Sequence, residues 1–70
     1  MSKRITKKQA YAQMDRTITM LMRVMLIDHK GAHHITTGLE NHFNGRKSVN
    51  REAFQQWFDE ACDIAKHLND

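Results

Sequence analysis

Between residues 18 and 27 the chain reads Ile18-Thr19-Met20-Leu21-Met22-Arg23-Val24-Met25-Leu26-Ile27. Eight of these ten residues are apolar, and neither glycine nor proline interrupts them. A helix with apolar side chains around most of its circumference has to be covered on most sides. Because a folded chain of only 70 residues leaves much of its surface exposed to water, we expect part of this run to meet a second molecule.

The composition predicts one small helical domain spanning residues 1–70. Hydrophobic residues make up 40% of the chain, proline is absent and only three glycines occur, which is typical of helices joined by short connections. The one cysteine, Cys62, has no internal partner for a disulfide, so stability must come from packing, self-association or a bound partner. We therefore predict an all-α, compact three-helix domain with a long N-terminal helix that self-associates.

The first predicted helix covers about residues 7–29. It begins after Thr6 as N-cap and stops before Gly31, a residue type that commonly follows a helix end. One apolar stripe runs along its whole length and is assigned to the protein's own core, namely Ala10, Tyr11, Met14, Ile18, Leu21, Met22 and Met25. A second stripe occurs only in the later half, and we predict it to be a protein-binding or dimer interface formed by Met20, Val24 and Ile27.

The second predicted helix covers about residues 32–43 and carries Ile35, Leu39 and Phe43 at helical spacing. The alternative is one continuous rod through Gly31, because residues seven apart continue the apolar pattern across this glycine. We favour a break, since glycine inside a helix costs about 1 kcal/mol relative to alanine.

The third predicted helix covers about residues 51–68 and has the clearest beginning. Asn50 is a good N-cap, and Val49 and Phe54 stand at the positions of a hydrophobic staple. Its apolar face is about half the circumference wide. We expect this face to pack on the first helix through Phe54, Trp57, Phe58, Ala61 and Leu68.

Charge is distributed unevenly along the chain. Residues 1–30 hold seven Lys or Arg against two acids, whereas residues 51–70 hold two against five. The basic front and the acidic back can pair within one chain or between two antiparallel copies. Residues 1–6 are expected to form a flexible basic arm. This arm and the basic turn at residues 44–49 predict an alternative function, nucleic-acid binding through Lys3, Arg4, Lys7, Lys8, Arg46 and Lys47.

No pattern in the sequence predicts catalysis, a cofactor or a metal site. His29 and His33 have the four-residue spacing of metal ligands on a helix, but nothing brings a third ligand to them. Cys62 lies on an apolar face and is interpreted as a packing residue. Since a domain of this size rarely builds a pocket that excludes water, we expect no enzyme activity, no cofactor and no metal.

The location and the partners follow from the same apolar run. It is too short to cross a bilayer and contains Arg23, and the basic start of the chain is not followed by the apolar core of a signal peptide. We therefore expect a cytoplasmic protein without a membrane partner. The predicted function is a small helical protein–protein interaction module that acts as an inhibitor, adaptor or assembly factor of a larger protein, or pairs with itself as a homodimer.

Overall fold

Three helices and a short antiparallel strand pair form the computed structural model, which describes residues 3–68. The elements in chain order are β1 (Arg4–Thr6), α1 (Lys7–Arg23), α2 (His29–Phe43), β2 (Ser48–Asn50) and α3 (Arg51–His67). Helices account for 74% of the structure, so the predicted three-helix, mainly α character is confirmed. The small sheet was not predicted. Met1 and Ser2, which begin the predicted basic arm, lie outside the described residues.

The prediction of a flexible arm is wrong for residues 4–6, because they form β1. This strand pairs antiparallel with β2, and Ile5 lies opposite Val49 in the register. Both side chains are buried, with exposed fractions of 2% and 4%. An apolar residue between two polar ones is sufficient for a half-buried strand when a partner strand covers it. β1 leads directly into α1, and β2 leads directly into α3.

A side-chain cap begins each helix. Thr6 forms a capping box with Gln9, in which each side chain accepts the backbone N–H of the other residue. Asp28 and Asn50 accept backbone N–H groups from the first turns of α2 and α3, respectively. Each cap satisfies donors that the first turn of a helix leaves without a partner.

Two predicted boundaries near Gly31 are wrong. α1 ends at Arg23 instead of residue 29, and α2 begins at His29 and continues through Gly31. The continuous rod is equally wrong, because residues 24–28 separate the two helices. A Cβ at Gly31 would lie 2.9 Å from the Cβ of Ile27 and 3.0 Å from the carbonyl oxygen of Ala65 in α3. Glycine at this position therefore permits close approach of α2 and α3 and does not end a helix.

The centre of the core is α2, whereas the predicted seam joined the first and third helices. Ile35, Leu39 and Phe43 on one face of α2 are fully buried. On α3, Phe54 and Phe58 stack with their ring centroids 5.5 Å apart, and Phe54 meets Phe43 edge to face at 6.3 Å. The main helix–helix interface therefore joins α2 to α3.

α1 packs on this pair through buried Met14 and Leu21, and polar contacts connect it to α2. The Tyr11 hydroxyl donates to the Glu40 carboxylate, and the Lys7 ammonium lies 3.0 Å from the same carboxylate. The hydrogen bond from Tyr11, followed by that from Lys7, holds the pKa of Glu40 below its ordinary value. These contacts fix the start of α1 against the end of α2.

Replacing Gly31 by alanine is expected to destabilise the fold, although alanine is the better helix former. The added methyl group would press on the Ala65 backbone. Overpacking of this kind costs about 1–3 kcal/mol, against about 0.5–1 kcal/mol gained from helix propensity. Urea unfolding should therefore show a net loss of about 1 kcal/mol for Gly31→Ala, the difference between the midpoints of these two ranges. The control, Thr37→Ala on the exposed side of α2, should be neutral or slightly stabilising. A Gly31→Ala protein as stable as the wild type would contradict the close approach.

Candidate protein-binding surface

Four exposed apolar side chains lie at the end of α1 and in the turn that follows it. Met20, Val24, Met25 and Leu26, with exposed fractions of 57%, 55%, 85% and 46%, form the apolar patch. Val24 lies one helical turn after Met20, and Met25 and Leu26 follow Val24 directly, so the four lie within seven residues of the chain. Among residues 3–68 the only other exposed large hydrophobic residue is Ile64. Contiguous exposed apolar surface is typical of sites that bind another molecule.

A Schellman motif at the end of α1 creates this surface. The N–H of Leu26 donates to the carbonyl of Leu21 at 2.9 Å, and the N–H of Met25 donates to that of Met22 at 3.1 Å, as the motif requires. Met25 occupies its left-handed position with φ of +62°, where glycine is usual. The chain therefore turns away from α1 at Met25, whose side chain extends into solvent.

The predicted interface residues do not share one surface. Met20 and Val24 belong to the apolar patch, but Ile27 is buried with 4% exposure because the turn at Met25 brings it against Gly31 at the start of α2. Ile27 is a core residue, so its assignment to the interface is wrong. Met25 was assigned to the core, and this assignment is also wrong, because its side chain is 85% exposed. Helical spacing loses its meaning beyond Arg23, where α1 ends.

Charged side chains lie beside the apolar patch on α1. A shallow cleft of about 370 Å³ next to Met20 is also lined by Asp15, Arg16, Thr19 and Arg23. These residues are all exposed, and three of them, at positions 15, 19 and 23, follow one another at intervals of one helical turn. The surface thus has an apolar centre and a charged rim of both signs, which is the anatomy of many protein interfaces.

The two basic segments predicted to contact nucleic acid lie at one end of the molecule. Pairing of β1 with β2 brings them together, and the N–H of Lys7 donates to the carbonyl of Lys47 at 3.1 Å. Within the chain, however, the side chains of Arg4, Lys7 and Arg46 bind other side chains or backbone carbonyls. The other exposed basic residues at this end are Lys3, Lys8, Lys47 and Arg51. Arg51 was not among the predicted contacts, and its guanidinium donates to the carbonyl of Arg4 at 3.4 Å.

His42 and Cys62 are partly buried, whereas His29, His33 and His67 are exposed. Within residues 3–68 no three His, Cys, Asp or Glu side chains are grouped to hold a metal ion. His42 stacks on Trp57 with ring centroids 5.1 Å apart, and burial, followed by the charge of Arg46, lowers the pKa of His42 below its ordinary value. Cys62 is half-buried, and burial raises the pKa of its thiol. Both shifts favour the neutral side chain.

Comparison with protein-family models, curated proteins and solved structures finds no match to this chain. Among residues 3–68 no helix has the length and apolar character needed to cross a membrane.

Replacing Met25 by glycine is expected to stabilise the fold. Glycine adopts the left-handed conformation of this position without the steric penalty of a side chain. The free energy of unfolding in urea should therefore rise by about 0.5–1 kcal/mol. The same substitution at Met20, an exposed position inside α1, should instead lower it by about 0.5–1 kcal/mol. A Met25→Gly protein less stable than the wild type would show that the methionine side chain stabilises the fold by packing.

Proposed function

We propose that this protein is a small cytoplasmic helical module for protein–protein interaction, which acts as an inhibitor, adaptor or assembly factor of a larger protein. The observation that carries the proposal is Met25, which is 85% exposed and adopts a left-handed backbone conformation. A strained backbone that holds a large apolar side chain in water lowers the stability of the unbound protein. Burial of this side chain against a target makes the arrangement favourable. In this proposal the protein acts by binding and not by catalysis.

The composition of the apolar patch suits a protein target. Two of its four residues, Met20 and Met25, carry unbranched and polarizable side chains that adapt to irregular surfaces. The adjacent Arg16 and Arg23 offer planar guanidinium groups that bind carboxylates. An apolar surface with acidic residues at its edge is therefore the expected counterpart on the target.

Val24→Asp is expected to abolish target binding and to leave the fold intact. Val24 is 55% exposed in the free protein, whereas burial of an unpaired carboxylate in an interface is strongly unfavourable. Ile64→Asp is the matched control, because Ile64 is 50% exposed but lies on α3. The measurement is quantitative identification of the proteins that co-purify with the tagged wild type and both variants from native cells, with circular dichroism to verify folding.

The target is identified as a protein recovered with the wild type and with Ile64→Asp but lost from Val24→Asp. Equal recovery of every co-purifying protein by all three forms would refute the proposed function.

A second candidate function is nucleic-acid binding by an accessory protein. The observation that favours it is the strand pairing, which places the basic N-terminal segment beside the turn before β2. The backbone N–H of Lys7 donates to the carbonyl of Lys47 at 3.1 Å, so basic residues from both segments are adjacent. Phosphate contacts require little more than such a concentration of positive charge.

Nucleic-acid binding through this end should be weak and sensitive to salt. With contacts from Lys3, Lys8 and Lys47, log K is expected to fall against log salt concentration with a slope of about −2.7 on duplex DNA. Lys47→Gln should reduce the slope by about 0.9, whereas Lys66→Gln near the end of α3 should leave it unchanged. Fluorescence anisotropy with labelled DNA and RNA measures this. Absence of binding at low salt would exclude the second candidate.

A further inference from the structure

The exposed row on α1 formed by Asp15, Thr19 and Arg23 has a symmetric charge pattern. Its acid and its base stand four residues before and four residues after the threonine, about 12 Å apart along the helix axis at 1.5 Å per residue. All three residues are exposed and line the cleft beside Met20. Within residues 3–68 the ion pair of the fold is Lys7–Glu40, so neither charge of this row is neutralised by an ion pair there.

We infer that the apolar patch and this row bind a second copy of the chain through an antiparallel α1–α1 contact with two-fold symmetry. The inference rests on the protein-binding role proposed above and adds a second copy of this chain as a partner of the same region of α1. In a two-fold contact each residue i faces residue j, and j faces i. An axis through Thr19 places Asp15 of each copy opposite Arg23 of the other, which forms two equivalent ion pairs. A binding surface for an unrelated protein has no need for this symmetry.

The apolar residues fit the same arrangement. With the axis at Thr19, Ala12 of one copy comes opposite the turn that follows α1 in the other, because Ala12 stands seven residues before the axis and α1 ends four residues after it. Ala12 is exposed and small, so it leaves room for the larger side chains of the apolar patch. Met20 lies beside the axis and meets its own counterpart. Arg16 lies next to Asp15, and its aliphatic part can cover Met20 of the other copy while its guanidinium stays in water.

A head-to-tail assembly fits the surface less well. Such a contact joins two different surfaces, so the apolar patch would need a second apolar surface elsewhere on the chain. Among residues 3–68 the only exposed large hydrophobic side chain outside the patch is Ile64 on α3. A single side chain cannot cover four. A two-fold contact brings Met20 of both copies together and needs no second apolar surface.

The test is a charge exchange across the two-fold axis, measured by sedimentation velocity of the full chain over a range of concentrations at low ionic strength. Asp15→Arg places two arginines opposite each other in each pair, and Arg23→Asp does the same with two aspartates. Each single variant should raise the dimer dissociation constant about tenfold or more. The double variant Asp15→Arg/Arg23→Asp restores both pairs with reversed polarity and should recover dimerisation. Asp63→Arg, at an exposed position of α3, is the charge-matched control and should leave the dimer dissociation constant unchanged.

The sedimentation results test the two-fold contact independently of the proposed protein-binding function. A wild type that stays monomeric up to ~100 μM overturns the two-fold contact, as does a dimer that the single variants do not weaken or the double variant does not restore. In those cases a target lost only from Val24→Asp still supports the protein-binding role. Rescue by the double variant supports the two-fold contact, whether or not a larger target is found.

Discussion

The rest of the structure depends on the close approach of α2 to α3 at two glycines. A Cβ at Gly31 would press on the Ala65 backbone, and a Cβ at Gly38 would lie 2.7 Å from the indole of Trp57. The two glycines stand seven residues apart and lie on the same side of α2. Together they bring the backbone of α2 close enough to α3 for the aromatic side chains near Phe54 to fill the centre of the core. This seam makes α2 the central helix of the domain.

The position of α2 determines which apolar residues of the run at residues 18–27 are buried and which stay exposed. To reach the seam, the chain leaves α1 after Arg23, turns at Met25 and buries Ile27 beside Gly31. The apolar run therefore contributes one residue beyond α1 to the core and leaves the preceding ones in water. Core packing and the candidate binding surface are thus two results of the same turn. The proposed interface is located by the fold and not by the helical periodicity of the run.

Local signals predicted the starts of α1 and α3, and tertiary contacts decided what could not be predicted. Thr6 and Asn50 were interpreted as N-caps, and both accept first-turn N–H groups. Asp28 also caps a helix, and its residue type could have indicated this start. Gly31 was interpreted as a helix end because glycine serves helix ends and close contacts alike. Met25 could not be identified as the turning point, since its residue type rarely adopts the left-handed conformation.

The strand pair has a consequence for the order of folding. Ile5 and Val49 are 44 residues apart in the chain, and closure of a loop that long costs about 1.3 kcal/mol more entropy than closure of a ten-residue loop. Three-residue strands cannot offset this entropy alone. The strands therefore pair after α1 and α2 have shortened the path between them. Because β1 precedes α1, α2 and β2 in the chain, it is synthesised before every element that holds it in place.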